Sequence, residues 1–163
     1  MIVDNLFLKS FVMLNSDEKE MILEWRNHIS VRQWMHNSSC ITPNNHTSFI
    51  VNLEKDETNK YFLVSNDTND LGVVYFNNIT SSSADYGLYV NPYSLKKGTG
   101  SLLQEISIKY AFEHLSLVTL RLEVFIDNKK AIKLYEKFNF KKIKKRIIEG
   151  KEVLCMELKN ENR

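Results

Sequence analysis

The sequence predicts an α/β chain, a mixed sheet with helices on its faces. Three observations carry this expectation. Helical periodicity dominates residues 15–53, and short runs rich in β-branched and aromatic residues fill 60–90. The rest alternates helix and strand before closing on a hairpin. The order is one strand, two or three helices, three strands, a helix, a strand, a helix and two strands.

Residues Leu6 to Leu14 alternate loosely and suggest the first strand. Asn15, with Glu18 three residues on, resembles a capping box, and the helix it opens sets Met21, Ile22 and Trp25 on one face. "RNHISVRQWM" reads as a short, broken helical region carrying Arg26, Asn27, Arg32, Trp34 and Met35. Thr42 and Pro43 start another helix, a hydroxyl cap followed by proline at the first position. There His46, Phe49, Ile50 and Leu53 recur at helical spacing as one stripe.

"KYFLVS" and "LGVVYFNNI", separated by the turn-prone "NDTND", form an antiparallel hairpin, and "ADYGLYV" is the next strand, ending at Asn91-Pro92. The helix after Gly100 places Leu102, Leu103, Ile106 and Tyr110 on one face. "LRLEVF" is a strand, "NKKAIKLYEKF" a helix, and "FKKIKKRII" with "KEVLCMEL" a final hairpin around Glu149-Gly150.

At 163 residues the chain reads as one domain over 1–163, long enough to bury roughly two-thirds of its unfolded surface. A net charge of +2 is too small to argue for nucleic acid. The lysine run "KKIKKRIIEGK" lacks interleaved exposed aromatics and fits the solvent face of a strand. No apolar run approaches the roughly 20 residues that span a bilayer, so no membrane partner is expected. The N-terminus has an early acid and no basic leader, and Cys40 and Cys155 share no metal-ligand spacing. Reduced thiols, a cytoplasmic location and no metal are the expectation.

The loop "NPYSLKKGTGSLL" is suited to phosphate: Lys96, Lys97 and two glycines precede a helix whose free amides and dipole favour an anion. It contains no Gly-Lys pair, which excludes the P-loop, and Leu103 stands where the dinucleotide fingerprint needs its third glycine. What remains is a Gly-x-Gly whose second glycine opens a helix. Taken alone, such a glycine is more often just a turn.

Joined to "LEVFIDNKKAIKLYEKFNF", the loop resembles the GCN5-related N-acetyltransferase (GNAT) family. In that family an Arg/Gln-x-x-Gly-x-Gly/Ala loop binds the acetyl-CoA pyrophosphate. A later strand then leads to an Asn, a helix with A-x-x-x-Y spacing and an aromatic close, matched here by Asn128, Ala131, Tyr135 and Phe140. The usual Arg/Gln position falls on Leu95, so Lys96, Lys97 or the amides alone would have to serve. "EWRNHISVRQWM", "HTSFIVNL" and "YFLVSNDTNDLGVVYFNNI" extend the likeness over nearly the whole chain. It is similar to the N-acetyltransferases that act on UDP-4-amino-4,6-dideoxy-N-acetyl-β-L-altrosamine in bacterial pseudaminic acid synthesis, which feeds flagellin glycosylation. "WRN" also occurs in acetyltransferases of ribosomal protein N-termini.

The resemblance implies a central mixed, mostly antiparallel sheet with helices on both faces, and a gap where the strand ending "LYV" splays from the strand "LRLEVF". Acetyl-CoA is the implied co-substrate. Backbone around Leu88, Tyr89 and Val90 would hold its pantetheine arm, and Lys96, Lys97, Gly98, Thr99, Gly100 and Ser101 its phosphate end, with Asn128 a further coenzyme-binding residue. Tyr135 is the implied acid for the departing thiolate, since a phenol keeps its proton at neutral pH. Ala131, Leu134, Tyr135 and Phe138 are equally spaced as a core stripe. For a base, Glu123, Asp85 and His46 are candidates, Glu123 foremost, and water would also serve.

Arg26 and His46 are expected at the UDP end of the acceptor, because a guanidinium offers phosphate a planar fork of donors. Trp34, Met35 and Tyr75 would line the methyl-bearing sugar. Ordinary packing accounts for Trp34 and Met35 about as well, and a surface ion pair for Arg26, while a lone histidine on an apolar stripe such as His46 is usually a satisfied core residue. The function expected is direct acetyl transfer from acetyl-CoA to the 4-amino group of a UDP-linked 4-amino-4,6-dideoxy sugar. Alternatives are protein N-terminal acetylation and a non-catalytic acetyl-CoA-binding module. The final hairpin offers an edge through which a homodimer could form.

Overall fold

The computed structural model describes residues 1–3, 5–94 and 96–161. Among the described residues, eight strands and five α-helices follow the expected order, with one short strand, β1, added at the start. β1 (Ile2–Val3) and β2 (Leu6–Ser10) lead through a 3-10 turn at Phe11–Met13 into α1 (Ser16–Asn27), α2 (Ile29–Arg32) and α3 (Pro43–Leu53). A meander of β3 (Lys60–Ser65), β4 (Asp70–Asn77) and β5 (Ser83–Val90) follows. Then come α4 (Thr99–Lys109), β6 (Thr119–Phe125), α5 (Lys129–Lys137) and the hairpin β7 (Lys141–Ile148) and β8 (Lys151–Lys159).

The strands form one sheet in the order β1-β2-β3-β4-β5-β6-β8-β7. Every pairing is antiparallel except β5 with β6, which run parallel. That parallel pairing is brief: Ser83 with Thr119, Ala84 with Leu120, and Asp85 with Arg121. Beyond it β5 keeps its ladder with β4 as far as Val90, and β6 keeps its ladder with β8 as far as Phe125. The two central strands therefore part, as the family resemblance implies.

Strand alternation gives the sheet two apolar faces, each covered by helices. On one, Val74, Phe76, Ala84, Tyr86, Leu120, Leu122 and Val124 pack with Leu103 and Ile106 of α4 and Ile132 and Tyr135 of α5. On the other, Leu63 and Val73 pack with Ile22 and Trp25 of α1, Ile50 of α3, and Phe11 and Leu14. Asn15 closes the capping box with Glu18, which also pairs with Lys9 on β2 at 2.7 Å and so ties α1 to the sheet.

Several local readings shift. The first strand stops at Ser10, because Phe11 turns inward through the 3-10 turn. The broken helical region ends α1 at His28, whose extended backbone restarts the chain as α2. Leu102 does not share the face of Leu103, Ile106 and Tyr110, which are buried while it stays exposed on the helix flank. α4 begins at Thr99 rather than Gly100, since Gly98, at φ +91°, supplies the left-handed residue that caps it. β7 lies at the sheet edge and exposes every residue but Ile148, in keeping with a solvated lysine face.

Candidate active site

A cavity of about 500 Å³ opens beside the point where β5 and β6 part. Its walls include Arg26 from α1, Trp34, Met35 and His36 from the loop after α2, His46 and Phe49 from α3, and Tyr61 and Tyr75 from β3 and β4. Asp85, Tyr86 and Tyr89 of β5, Glu123 of β6 and Arg146 of β7 complete it.

Three consecutive residues at the end of α1 build one side. Trp25 is buried in the core below. Asn27 clamps the loop ahead of α3 twice: its amide donates to the Ile41 carbonyl at 2.8 Å, and its oxygen accepts the Ile41 amide at 2.7 Å. Arg26 donates through Nη2 to the Asn37 carbonyl at 2.9 Å, while its buried Nη1 has no partner among the described residues. Arg32 holds the same loop by donating to the Ser38 carbonyl at 2.9 Å. Trp34 and Met35 are thereby fixed over the cavity, and the Tyr75 hydroxyl meets the Met35 sulfur at 4.0 Å.

Opposite stands an aromatic wall. Tyr75 stacks on Tyr61 with centroids 5.0 Å apart, and Phe49 meets Tyr61 edge-on at 4.9 Å. Tyr75 lies across Gly87, its register partner on β5, in space that any Cβ there would claim. Burial raises the phenols of Tyr61, Tyr75 and Tyr89, against the partial offset of the Arg26 charge, so all three stay protonated.

His46 points its Nε2 at the Lys19 carbonyl, 3.0 Å away, and is buried. Burial lowers its pKa more than that hydrogen bond raises it, and the ring is neutral near pH 7. Phe49, on the same stripe, is turned out to line the cavity instead of the core.

Glu123 is on the cavity face of β6, with Arg121 and Phe125, whereas Leu122 and Val124 face the α4/α5 core. Its Oε2 accepts from Arg146 Nη2 at 2.7 Å and lies 3.4 Å from His36 Nε2; its Oε1 accepts from Cys155 Sγ at 3.7 Å. Asp85 is engaged by Arg121 at 3.0 Å and by the Asn78 amide at 2.9 Å.

Tyr135 occupies the other face of the sheet. Its ring lies edge-on to Tyr86, centroids 6.3 Å apart, and beside Phe140 at 5.9 Å. Burial pushes its phenol up to about 12. Tyr86 bridges the two sides, lining the cavity while donating to Oε1 of the fully buried Gln104 on α4.

The glycine loop lies apart from the cavity lining. The first backbone bond of α4 runs from Leu102 N–H to the Gly98 carbonyl, so the Gly100 and Ser101 amides precede the helical ladder and remain donors for an anion. Thr99 is turned inward, its hydroxyl donating to the Lys96 carbonyl at 3.0 Å, while Lys96, Lys97 and Gly98 are exposed. Leu95 lies outside the described residues. Leu88 and Val90 pack on the α4/α5 face and Tyr89 on the other, leaving strand backbone along the gap. Donor amides at a helix start, two exposed ammoniums and an unpaired strand edge fit a pantetheine-linked pyrophosphate. Asn128 caps α5 by accepting the Ala131 amide at 3.2 Å.

The structure thus brings Arg26, Trp34, Met35, His46, Tyr75 and Glu123 to one cavity and leaves Tyr135, Asn128 and the glycine loop outside its lining. Sequence reasoning passed over His36, Tyr86 and Arg146, which join the site only through the packing of distant elements. Among the described residues no His, Cys, Asp or Glu cluster could hold a metal, and no helix is long and apolar enough to cross a membrane.

The Acetyltransferase (GNAT) domain model matches residues 10–141. The chain is 45% identical over 133 residues to Acetyltransferase PseH of Campylobacter jejuni subsp. jejuni serotype O:23/36 (strain 81-176), covering 82% of this chain and 83% of that protein. The crystal structure of Campylobacter jejuni N-acetyltransferase PseH in complex with acetyl coenzyme A superposes with a TM-score of 0.79 at 36% identity, over 95% of this chain and 99% of that one. Spermidine N-acetyltransferase from Vibrio cholerae, in complex with CoA and spermine, shares the fold with a TM-score of 0.85 at 21% identity, over 96% of each chain.

Proposed function

The chain belongs to the GNAT acetyltransferase family, and we propose that this N-acetyltransferase acts on the 4-amino group of a UDP-linked 4-amino-4,6-dideoxy sugar. Acetyl-CoA supplies the activated acetyl group as its thioester. The kinship with PseH, one of whose structures holds acetyl coenzyme A, supports that donor, and the splay between β5 and β6 offers the arm its channel.

The observation that carries the acceptor reading is Arg26. It is a cavity arginine whose Nη1 is buried and unpartnered while Nη2 is committed to the loop. An unpaired buried donor on a charged group is costly, and a phosphate or uracil oxygen relieves that cost. The aromatic wall of Phe49, Tyr61 and Tyr75, with Trp34 and Met35 above, suits an apolar deoxysugar face. In this reading His46 helps shape the UDP end as a neutral, carbonyl-anchored ring.

Tyr135 keeps its proton until sulfur takes it, and Tyr86 lies between it and the acceptor. A backbone amide of β5 near Leu88 to Val90 faces the developing oxyanion, a contribution of about 3 kcal/mol for a fixed donor. Gly98 to Ser101, with Lys96 and Lys97, hold the pyrophosphate, and Asn128 fixes the start of α5 nearby. In the same reading the chain is one domain, works in the cytoplasm on the pseudaminic acid route to glycosylated flagellin, and pairs through the β7 edge as a homodimer.

Thiol release from acetyl-CoA, measured with UDP-4-amino-4,6-dideoxy sugars and with N-terminal peptides, tests the reading. Release with the sugars and an N-acetyl product is expected. Preference for peptides overturns the acceptor, and tight coenzyme binding with no release from any acceptor overturns catalysis.

A further inference from the structure

Resting on the reading of the chain as an amine acetyltransferase, we propose that His36 is the base that takes the proton from the acceptor ammonium, with Glu123 as the residue that positions it. The loop bearing His36 is fastened to α1 and α2 by the four bonds of Arg26, Asn27 and Arg32. So held, it carries the imidazole across the cavity to within 3.4 Å of Glu123, where the ring also meets Phe125 edge-on at 5.9 Å.

Glu123 is poorly placed to act directly. Its Oε2 already accepts the Arg146 guanidinium, and its Oε1 the Cys155 thiol. A carboxylate so committed serves to orient. A neutral imidazole that turns its Nε2–H toward Glu123 keeps its lone pair on Nδ1, the tautomer a base requires. The His36 side chain is also 47% exposed, so a proton taken from substrate has a path to water.

The ionisable groups around this end of the cavity include, among the described residues, Glu123 and Arg121 of β6, Arg146 and Lys144 of β7, Cys155 of β8 and Asp85 of β5, and Lys151 of β8 sits 5.4 Å from the Phe125 ring.

The step balances. One ammonium N–H bond breaks and its proton passes to Nδ1 of His36. The freed electron pair forms the N–C bond of the amide as the C–S bond of the thioester breaks. Sulfur leaves as a thiol with a proton from Tyr135, and the surplus proton on the new amide nitrogen restores the phenol. His36 returns its proton to solvent, one per turnover.

The test compares wild type, His36→Asn, His36→Gly and Glu123→Gln in steady-state acetylation across pH 6 to 9, with acetyl-CoA affinity measured separately. The His36→Asn variant is expected to lose about 100-fold or more in kcat at neutral pH. Its deficit should shrink as pH rises and the amine deprotonates unaided, with acetyl-CoA affinity unchanged. Added imidazole should restore part of the activity of His36→Gly. A loss equal at every pH and indifferent to imidazole, or wild-type rates in both variants, overturns the proposal. So does a Glu123→Gln variant that is inactive while the His36 variants work normally, which would make Glu123 the base. If wild type acetylates some other amine, the sugar assignment falls alone, because the same comparison runs on that amine. No amine turned over at all overturns both.

Discussion

Tyr75 and Gly87 face one another across β4 and β5, and the phenol lies where a side chain at Gly87 would have to go. The glycine is a matter of space. It lets Tyr75 cross the strand, stack on Tyr61 and reach Met35.

Gly87→Ala should therefore evict the Tyr75 ring and break the aromatic wall. Forcing a group into a packed site costs about 1–3 kcal/mol. The thermal midpoint should fall, and the acceptor KM should rise more than the acetyl-CoA KM. Steady-state kinetics against both substrates check this.

Tyr135→Phe removes one hydroxyl from a buried ring and leaves its contacts with Tyr86 and Phe140. kcat should drop about 100-fold or more, with little change in acetyl-CoA affinity. Wild-type turnover in this variant would remove Tyr135 from the mechanism.

Arg26 and Asn27 should separate by experiment although they adjoin. Asn27→Ala frees the Ile41 backbone, costs about 1–3 kcal/mol and loosens the whole loop, lowering kcat through His36 as well as raising the acceptor KM. Arg26→Ala should raise the KM for the UDP-sugar about 10-fold or more, the loss of a charge-assisted contact. An unchanged KM would mean Arg26 holds only the loop. Kinetics with the isolated amino sugar beside its UDP form tell the two apart.

His46 gives stability a pH dependence of known sign. Its folded pKa lies below the 6.5 of the free side chain because burial opposes the charge. Between those values the unfolded chain binds more protons, so this contribution is complete above pH 6.5 and is lost as pH falls toward the folded value. His46→Gln, which can still donate to the Lys19 carbonyl, should flatten that part of the slope in denaturant unfolding at pH 5 to 7.

The helix and strand order was legible because its signals are local: the Asn15–Glu18 box, Thr42-Pro43, and the β-branched and aromatic run "GVVYF". The fate of Glu123 was not. Alternation told which neighbours it opposes, but which face holds the cavity depends on α1 and α3 crossing one side of the sheet. His36 was invisible for a similar reason, since its partner arrives from β6 and its loop is set by Asn27 and two arginines. In "WRN" each residue has its own part: a core anchor, a split guanidinium and a double backbone clamp.

The brief pairing of β5 and β6 has a kinetic consequence. With Glu123 on one side of the sheet and Tyr135 on the other, in the proposed reading the acceptor and the thioester meet through an opening in a wall, each keeping its own doorway. In that reading neither has to vacate for the other to enter. Double-reciprocal plots should intersect rather than run parallel, and spent coenzyme should compete with acetyl-CoA while leaving the amine's berth untouched.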